Sequence, residues 1–176
     1  TNLAELANVE PFSLADVDAT QVVAQVADRI RESLLPGGEV VVTVDDAVPT
    51  VLADARFLEL ALKAVAMNGI EAMGGRGRLE LACHVSPEGT GYAQMVCISV
   101  RDSGPGFGHR ELARAFEPGF STKKGHSHIG IGLWFAREVA LACDGRAEIT
   151  SGSGKTGGVV EFHLRPYHPQ KRRSAQ

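Results

Sequence analysis

Apolar residues recur at helical spacing in three stretches of the chain, which predicts helices over residues 19–35, 54–73 and 129–143. The first helix ends at a Pro-Gly-Gly sequence and the second at a pair of glycines. The apolar face of the first helix consists of Val22, Val23, Val26, Ile30 and Leu34. The apolar face of the second consists of Leu58, Leu62, Val65, Ile70 and Ala72. Each face needs an apolar surface to pack against.

Strand patterns lie between the helices, at residues 39–44, 79–85, 94–101, 146–151 and 159–164, with a short extended piece at 50–52. This order does not repeat a strand–helix–strand unit. It predicts an α+β fold, a two-layer α/β sandwich with a mixed sheet and helices on one face. We expect residues 1–17 to be a lead-in, residues 18–166 to form the domain, and residues 167–176 to be a flexible tail.

A long stretch at residues 103–128 has no regular pattern and is rich in glycine, proline and charge. A connection of this length inside a compact domain is usually a functional lid or a disordered segment. We interpret it as a lid.

Composition narrows the classes of function. The net charge of -3 gives no reason to expect a nucleic-acid partner, and no apolar run is long enough to cross a bilayer. We therefore expect no direct membrane contact from this domain. The three cysteines are widely spaced in apolar surroundings, which indicates reduced core thiols rather than a disulfide framework or a zinc site.

One motif with chemical potential begins at Asp102, directly after a predicted strand, and contains Gly104 and Gly106. A carboxylate there can accept a hydrogen bond from an exocyclic amine, and glycines allow a flat ring to approach the backbone closely. The alternative is an ordinary Asp-Gly turn.

Two further features suit a polyphosphate and its cation. Gly130 and Gly132 open the third helix, where free N–H groups and the helix dipole favour anions. Asn68 on the second helix offers a carbonyl oxygen of the kind that Mg²⁺ prefers, although a lone Asn is also typical of an exposed helix position.

The last motif lies in the lid, between Phe116 and Lys123. Phe116 and Phe120 are candidate anchors for the loop, and Lys123 is a candidate contact for a terminal phosphate. The alternative is a solvated loop that contains an incidental lysine.

Together, the four motifs resemble the N, G1, F and G2 boxes of the GHKL superfamily, in that superfamily's order and spacing. The superfamily includes gyrase, a large heat-shock ATPase chaperone, mismatch-repair ATPases and histidine kinases. The resemblance covers residues 18–166. The F-box sequence Phe-Glu-Pro-Gly-Phe-Ser-Thr-Lys resembles that of histidine kinases, near the nitrogen-regulation type. The resemblance to the superfamily implies a Bergerat-type ATP-binding fold with a long ATP lid.

The resemblance implies roles at the base and at the metal. Asp102 would bind the adenine amino group, in a pocket that Gly104 and Gly106 shape. Asn68 would coordinate Mg²⁺, and Lys123 would approach the γ-phosphate. Asn68 and Lys123 are therefore the predicted catalytic residues, and ATP and Mg²⁺ the predicted cofactors.

The resemblance also implies roles for residues in the lid and at the phosphates of ATP. Phe116 and Phe120 would position the lid. Gly130 and Gly132, with the N–H groups around Leu133, would cradle the phosphates.

Four positions depart from the family pattern. Ala64 stands where histidine kinases often carry a second Asn and the ATPases carry a Glu base. His128 replaces the first glycine of the G2 box, and Gly119 replaces a bulky F-box residue. A Thr that often helps to hold adenine is replaced near Gly158. These changes leave open a degenerate nucleotide-binding or interaction module without phosphotransfer.

The resemblance implies a protein-histidine kinase of two-component signalling, located in the cytoplasm. None of the six histidines lies in a phosphoacceptor pattern. We therefore expect the acceptor on a dimerisation domain outside this chain, and a response-regulator receiver domain as the second partner. A stand-alone ATPase of the gyrase type is a third hypothesis, which Ala64 argues against because it leaves no base to activate water.

Overall fold

The computed structural model of the chain describes residues 11–86, 94–121, 130–151 and 157–167. Its elements, in chain order, are β1 (Ala15–Val17), α1 (Ala19–Arg31), β2 (Glu39–Val44), β3 (Val51–Ala53), α2 (Ala55–Ala72), β4 (Arg78–Ser86), β5 (Met95–Asp102), α3 (His109–Leu112), α4 (Gly132–Ala142), β6 (Arg146–Ser151) and β7 (Gly158–Leu164).

Five strands form the main sheet in the order β2-β4-β5-β7-β6. β2 runs parallel to β4, and the other neighbours are antiparallel. The helices α1, α2 and α4 pack on this sheet, and α2 contacts both of the others. The predicted α+β sandwich with a mixed sheet is therefore confirmed.

Alternate strand residues point into the layer between the sheet and the helices. Leu79, Leu81 and Cys83 of β4 are fully buried there, and two of them pair with Val100 and Ile98 of β5. Burial of such side chains is the main favourable contribution to folding. The helices add fully buried residues to the same core, namely Val23, Val26, Ile30, Leu58 and Leu62.

The other face of the sheet carries charged side chains. Arg78 lies 2.6 Å from Glu80 and 3.7 Å from Glu39, and Glu80 lies 3.9 Å from Arg101. Exposed pairs of this kind contribute little stability, about 0–1 kcal/mol each. Their alternation with the buried residues shows which face of the sheet is turned towards solvent.

Two predicted helix features are wrong in detail. The first helix ends at Arg31 rather than at residue 35, because the chain turns and the Leu35 N–H donates to the Gly75 carbonyl instead of continuing the helix. Ala72 was expected on the apolar face of α2 but is exposed in its last turn. Helix α4 begins at Gly132, and residue 129 lies outside the described residues.

Residues 11–17 pack on the domain through a second, two-stranded sheet that the sequence pattern did not predict. β1 pairs antiparallel with β3, and the Phe12 ring meets Phe57 of α2 edge-on at 5.2 Å. The Ser13 N–H donates to Asp54, the N-cap of α2. A three-residue strand has no periodicity of its own, and only its partner defines it.

The three cysteines are buried and free, as predicted. Burial raises the pKa of Cys83 and of Cys97 to about 12, and it also raises the pKa of Cys143. The thiols are therefore neutral at physiological pH and behave as small apolar groups.

None of the helices in the described ranges combines the length and the apolar character that a membrane span requires.

Candidate functional site

Asp102 is the last residue of β5 and lies beside the C-terminal half of α2. Its Oδ1 atom accepts a 2.8 Å hydrogen bond from the backbone N–H of Gly104, which holds the half-buried carboxylate in one direction. An ionised carboxylate has about four acceptor positions, so this bond leaves capacity for a ligand amine.

Three glycines from different elements surround the Asp102 side chain. A Cβ atom placed on Gly69 of α2 would lie 3.0 Å from Asp102 Cβ, and one placed on Gly104 would lie 2.8 Å from Oδ1. On β7, a Cβ placed on Gly158 would lie 2.9 Å from Oδ2 and 2.6 Å from the Phe107 ring. Larger residues at these positions would fill the space around the carboxylate.

The loop after Asp102 is attached to both α2 and β4. The Ser103 hydroxyl accepts the Arg78 N–H at 2.9 Å and approaches the Met73 sulfur at 3.2 Å. Gly106 follows in the left-handed region, with φ +73, where residues with a side chain are strained. The backbone of this motif therefore has a defined path that glycine permits.

Asn68 lies one residue before Gly69 on α2 and is half-buried against the start of α4. A Cβ placed on Gly132 would lie 3.3 Å from Asn68 Nδ2 and 3.7 Å from Ala64 Cβ. Ala64 and Asn68 are one helical turn apart and share a face. The small side chain at position 64 and the glycine at position 132 together let α4 approach α2 closely.

Among the described residues, no side chain caps the N-terminus of α4. Its N-cap residue is Ile131, whose carbonyl accepts the Phe135 N–H at 2.8 Å. The N–H groups of the first turn, from Gly132 to Trp134, precede that first helical bond. They point, with the positive end of the helix dipole, towards the space beside Asn68, which is an arrangement that suits an anion.

The F segment, residues 116–121, and the G2 loop, residues 130–133, are joined by their backbones. The Gly119 N–H donates to the Gly130 carbonyl at 3.0 Å, and both glycines have positive φ, +82 and +68. A Cβ placed on Gly130 would lie 2.6 Å from the Phe120 carbonyl oxygen. The glycine at position 119, a departure from the family pattern, therefore occupies a turn that a bulky residue would strain.

Both lid phenylalanines lie under arginine side chains. The Arg137 guanidinium of α4 is 5.6 Å from the centre of the Phe116 ring, and that of Arg114 is 4.6 Å from the Phe120 ring. Such cation–π contacts contribute about 0.5–2 kcal/mol each. The Arg137 contact holds the F segment against α4, whereas the Arg114 contact lies within the predicted lid. Lys123 and His128 lie outside the described residues.

The structure thus brings Asp102, Asn68 and the start of α4 together at α2, and the F segment against Gly130. Gly69 and Gly158 define the space around Asp102. Sequence reasoning assigned no role to Gly69, and it marked Gly158 only as the place of a replaced Thr. Gly69 carried a usable signal, because a glycine inside a helix costs about 1 kcal/mol and implies a packing reason.

A family model described as histidine kinase-, DNA gyrase B- and HSP90-like ATPase matches residues 53–168, which is more than half of the chain. The matched range contains Asn68, Asp102, the F segment and Gly132. The chain belongs to this family. The resemblance to the GHKL superfamily is therefore confirmed.

The relatives to which the chain is similar include sensor proteins and sensor histidine kinases. It is 41% identical over 75 residues to the C4-dicarboxylate transport sensor protein DctB of Pseudomonas aeruginosa, covering 42% of this chain and 12% of that protein. It is 28% identical over 155 residues to the sensory histidine kinase/phosphatase NtrB of Klebsiella oxytoca, covering 83% of this chain and 44% of that protein. The chain thus spans less than half the length of these relatives.

Among solved structures, full-length ShkA in complex with AMPPNP is similar, with a TM-score of 0.71 and 28% identity. The match covers 92% of this chain and 33% of that protein.

Proposed function

We propose that this chain is the Mg-ATP-binding catalytic domain of a two-component sensor histidine kinase. It transfers the γ-phosphoryl group of ATP to a histidine on a separate dimerisation domain, and a response regulator receives the group from there. The observation that carries this proposal is the convergence along α2 of Asp102, Asn68 and the N-terminus of α4, which no side chain of the described residues caps.

The adenine base binds at Asp102. The carboxylate accepts a hydrogen bond from the exocyclic amino group, while the Gly104 N–H holds its Oδ1 atom in place. Gly104 and Gly106 leave room for the flat ring. The Thr that other family members use is replaced near Gly158, where the Phe107 ring occupies the space that a side chain would need.

The phosphates bind at the N-terminus of α4. Gly130, Gly132 and the N–H of Leu133 donate to phosphate oxygens, and Lys123 adds a positive charge at the γ-phosphate. Asn68 fits a Mg²⁺ site because its amide lies beside this helix end, and Mg²⁺ commonly takes only one or two protein ligands beside phosphates and water. When bound, Mg²⁺ neutralises phosphate charge.

The chain provides positioning and charge neutralisation rather than a base. Ala64 places no carboxylate near Asn68, which disfavours the activation of water. Transfer to a histidine does not need such a base, because the imidazole is itself the nucleophile. Phe116 and Phe120 would position the lid, and the contact between Phe116 and Arg137 of α4 supports this role for Phe116.

The partners follow from the relatives. The curated relatives are sensor proteins, which fits a dimerisation and phosphoacceptor domain and a response regulator as partners. We propose a cytoplasmic location for the domain, with the parent protein able to carry an anchor elsewhere.

The test is phosphotransfer from radiolabelled ATP to a phosphoacceptor hairpin fused upstream of this chain. Label is expected on the hairpin histidine with the wild-type domain, and at least about tenfold less with Asp102→Asn or Asn68→Ala. The matched controls are Asp46→Asn, in the turn after β2, and Gln25→Ala, exposed on α1. Equal labelling in all variants would refute the assigned site.

The alternative is a degenerate module that binds nucleotide without transferring phosphate. Ala64 favours it, because its side chain supplies no polar atom beside Asn68. Binding of ADP by the fusion protein without any labelling of an acceptor hairpin that another kinase domain can label would establish this alternative.

A further inference from the structure

The face of the sheet away from the helices contains a cluster that the proposed function does not use. It consists of Glu148 on β6 and of Glu161 and His163 on β7. One ligand atom from each residue lies within 4.8 Å of the other two. The His163 Nε2 atom is 3.9 Å from Glu148 Oε2 and 3.8 Å from Glu161 Oε2.

Strand register fixes this arrangement. Glu148 pairs directly with Glu161 across the β6–β7 ladder, and His163 lies two residues further along β7 on the same face. Two carboxylates opposite each other on neighbouring strands repel and destabilise the pair. Arg146 neutralises part of this charge, since its Nε atom donates to Glu148 Oε1 at 2.7 Å. That bond uses the Oε1 atom of Glu148, whereas the oxygen that faces His163 is Oε2.

The His163 side chain provides an independent observation. The residue is only 8% exposed, and neither ring nitrogen has a hydrogen-bond partner among the described residues. A buried polar group without a hydrogen bond is destabilising, because it has lost its hydrogen bonds to water. Its Nε2 atom is directed between the two carboxylates, at distances too long for hydrogen bonds.

We propose that Glu148, Glu161 and His163 bind a divalent transition-metal ion, with Zn²⁺ as the ion best matched to one imidazole and two carboxylates. Zn²⁺ takes imidazole nitrogen and carboxylate oxygen at about 2.0–2.2 Å and is four-coordinate, so the fourth position belongs to water. Ligand atoms around such an ion are about 3.4 Å apart. The two distances from His163 Nε2 to the carboxylates would therefore shorten by about 0.4–0.5 Å, and the two carboxylate oxygens, which lie within 4.8 Å of each other, would approach by up to about 1.4 Å. The ion offsets the carboxylate repulsion and provides a partner for the buried imidazole.

The site would link β6, the edge strand of the sheet, to β7. It lies on the opposite face of the sheet from α2 and α4, and it is therefore separate from the proposed nucleotide site. Its test needs no nucleotide and does not depend on the proposed function.

The experiment is a Zn²⁺ titration of the tag-free, metal-stripped chain, followed by calorimetry and by competition with a chromophoric chelator. The expected result is one ion per chain, with affinity at least about tenfold lower in Glu161→Gln and Glu148→Gln. These two variants alter side chains that are not fully buried, so they keep the fold. His163→Gln should lose the site, and saturating Zn²⁺ should raise the melting temperature of the wild type but not of this variant.

The matched controls are His84→Gln and Glu138→Gln. His84 lies on the same face of the sheet, paired with Cys97, which in turn pairs with His163. Both controls should bind as the wild type does. Absence of saturable binding at about 100 μM Zn²⁺, a concentration that fills any site with a Kd well below it, would overturn the proposal. Binding that persists in all three ligand variants would overturn it as well, because the ion would then be held elsewhere.

Discussion

The substitution Gly130→Ala tests the backbone junction between the F segment and the G2 loop. Gly130 has φ +68, and an added Cβ would lie 2.6 Å from two backbone atoms, the Gly119 carbonyl carbon and the Phe120 carbonyl oxygen. Neither atom can rotate away as a side chain would. The two segments must therefore separate by roughly 0.5–1 Å to restore normal contact distances.

The size of the effect has two parts. The left-handed conformation costs an alanine about 1–2 kcal/mol. Separation of the segments also weakens the Gly119–Gly130 hydrogen bond, which contributes about 1 kcal/mol. A loss of about 1.4 kcal/mol in binding free energy lowers affinity tenfold, so a displacement of the phosphate-binding loop at this cost should weaken nucleotide binding by about tenfold.

Gly74→Ala is the matched control. Gly74 has φ +62, but an added Cβ would meet no atom of the described residues within 4 Å. This variant pays the same conformational cost without a clash. It should lower the melting temperature by about 2–8 °C and leave nucleotide affinity unchanged.

The assay is titration with ADP, followed by the fluorescence of the single tryptophan, Trp134, in the first turn of α4. Thermal unfolding is measured on the same samples. Wild-type affinity in Gly130→Ala, or equal loss of affinity in both variants, would show that the junction does not support the site.

Three further predictions concern the fold. Leu62→Ala removes a fully buried side chain from α2 and should lower the free energy of unfolding by about 2–5 kcal/mol in urea titrations, whereas Leu141→Ala, at an exposed position, should change it little. Burial alone would raise the pKa of Asp54, but hydrogen bonds from Arg56 and the Ser13 N–H outweigh it and lower the pKa. The stabilisation from this carboxylate is therefore present above the unfolded pKa of about 3.9 and is lost as pH falls through the folded pKa. Asp54→Asn should lower the free energy of unfolding by about 1–3 kcal/mol at pH 7, and the stabilities of variant and wild type should converge in acid. Cys83 and Cys97, whose pKa burial raises to about 12, should react with a thiol reagent at pH 8 only after unfolding; fast reaction in the native state would contradict their burial.

Local patterns predicted the main elements well, because α1, α2 and the five strands of the main sheet carry their own periodicity. The N-cap of α2 at Asp54 and its end near Gly74 are also local signals. Strand β1 was missed because only its pairing with β3, far along the chain, defines it.

The candidate site divides in the same way. The motif residues Asp102, Asn68 and Gly132 were recognisable in the sequence, but their mutual contacts depend on how closely α2 approaches β5 and α4. Gly158 is an example of a site residue whose role could not be predicted from local sequence patterns. Its role depends on the position of the Phe107 ring, a contact between distant segments that no local pattern encodes.

The most direct test of the central claim is calorimetric titration of the chain with ADP, with and without Mg²⁺, in the wild type, Asp102→Asn and Asp46→Asn. Asp46 follows β2 at the far end of the sheet from Asp102, which makes it a matched control. We expect Mg²⁺-dependent binding of ADP by the wild type and by Asp46→Asn, and at least about tenfold weaker binding of ADP by Asp102→Asn. Absence of binding at millimolar nucleotide, or equal affinity in all three proteins, would contradict it.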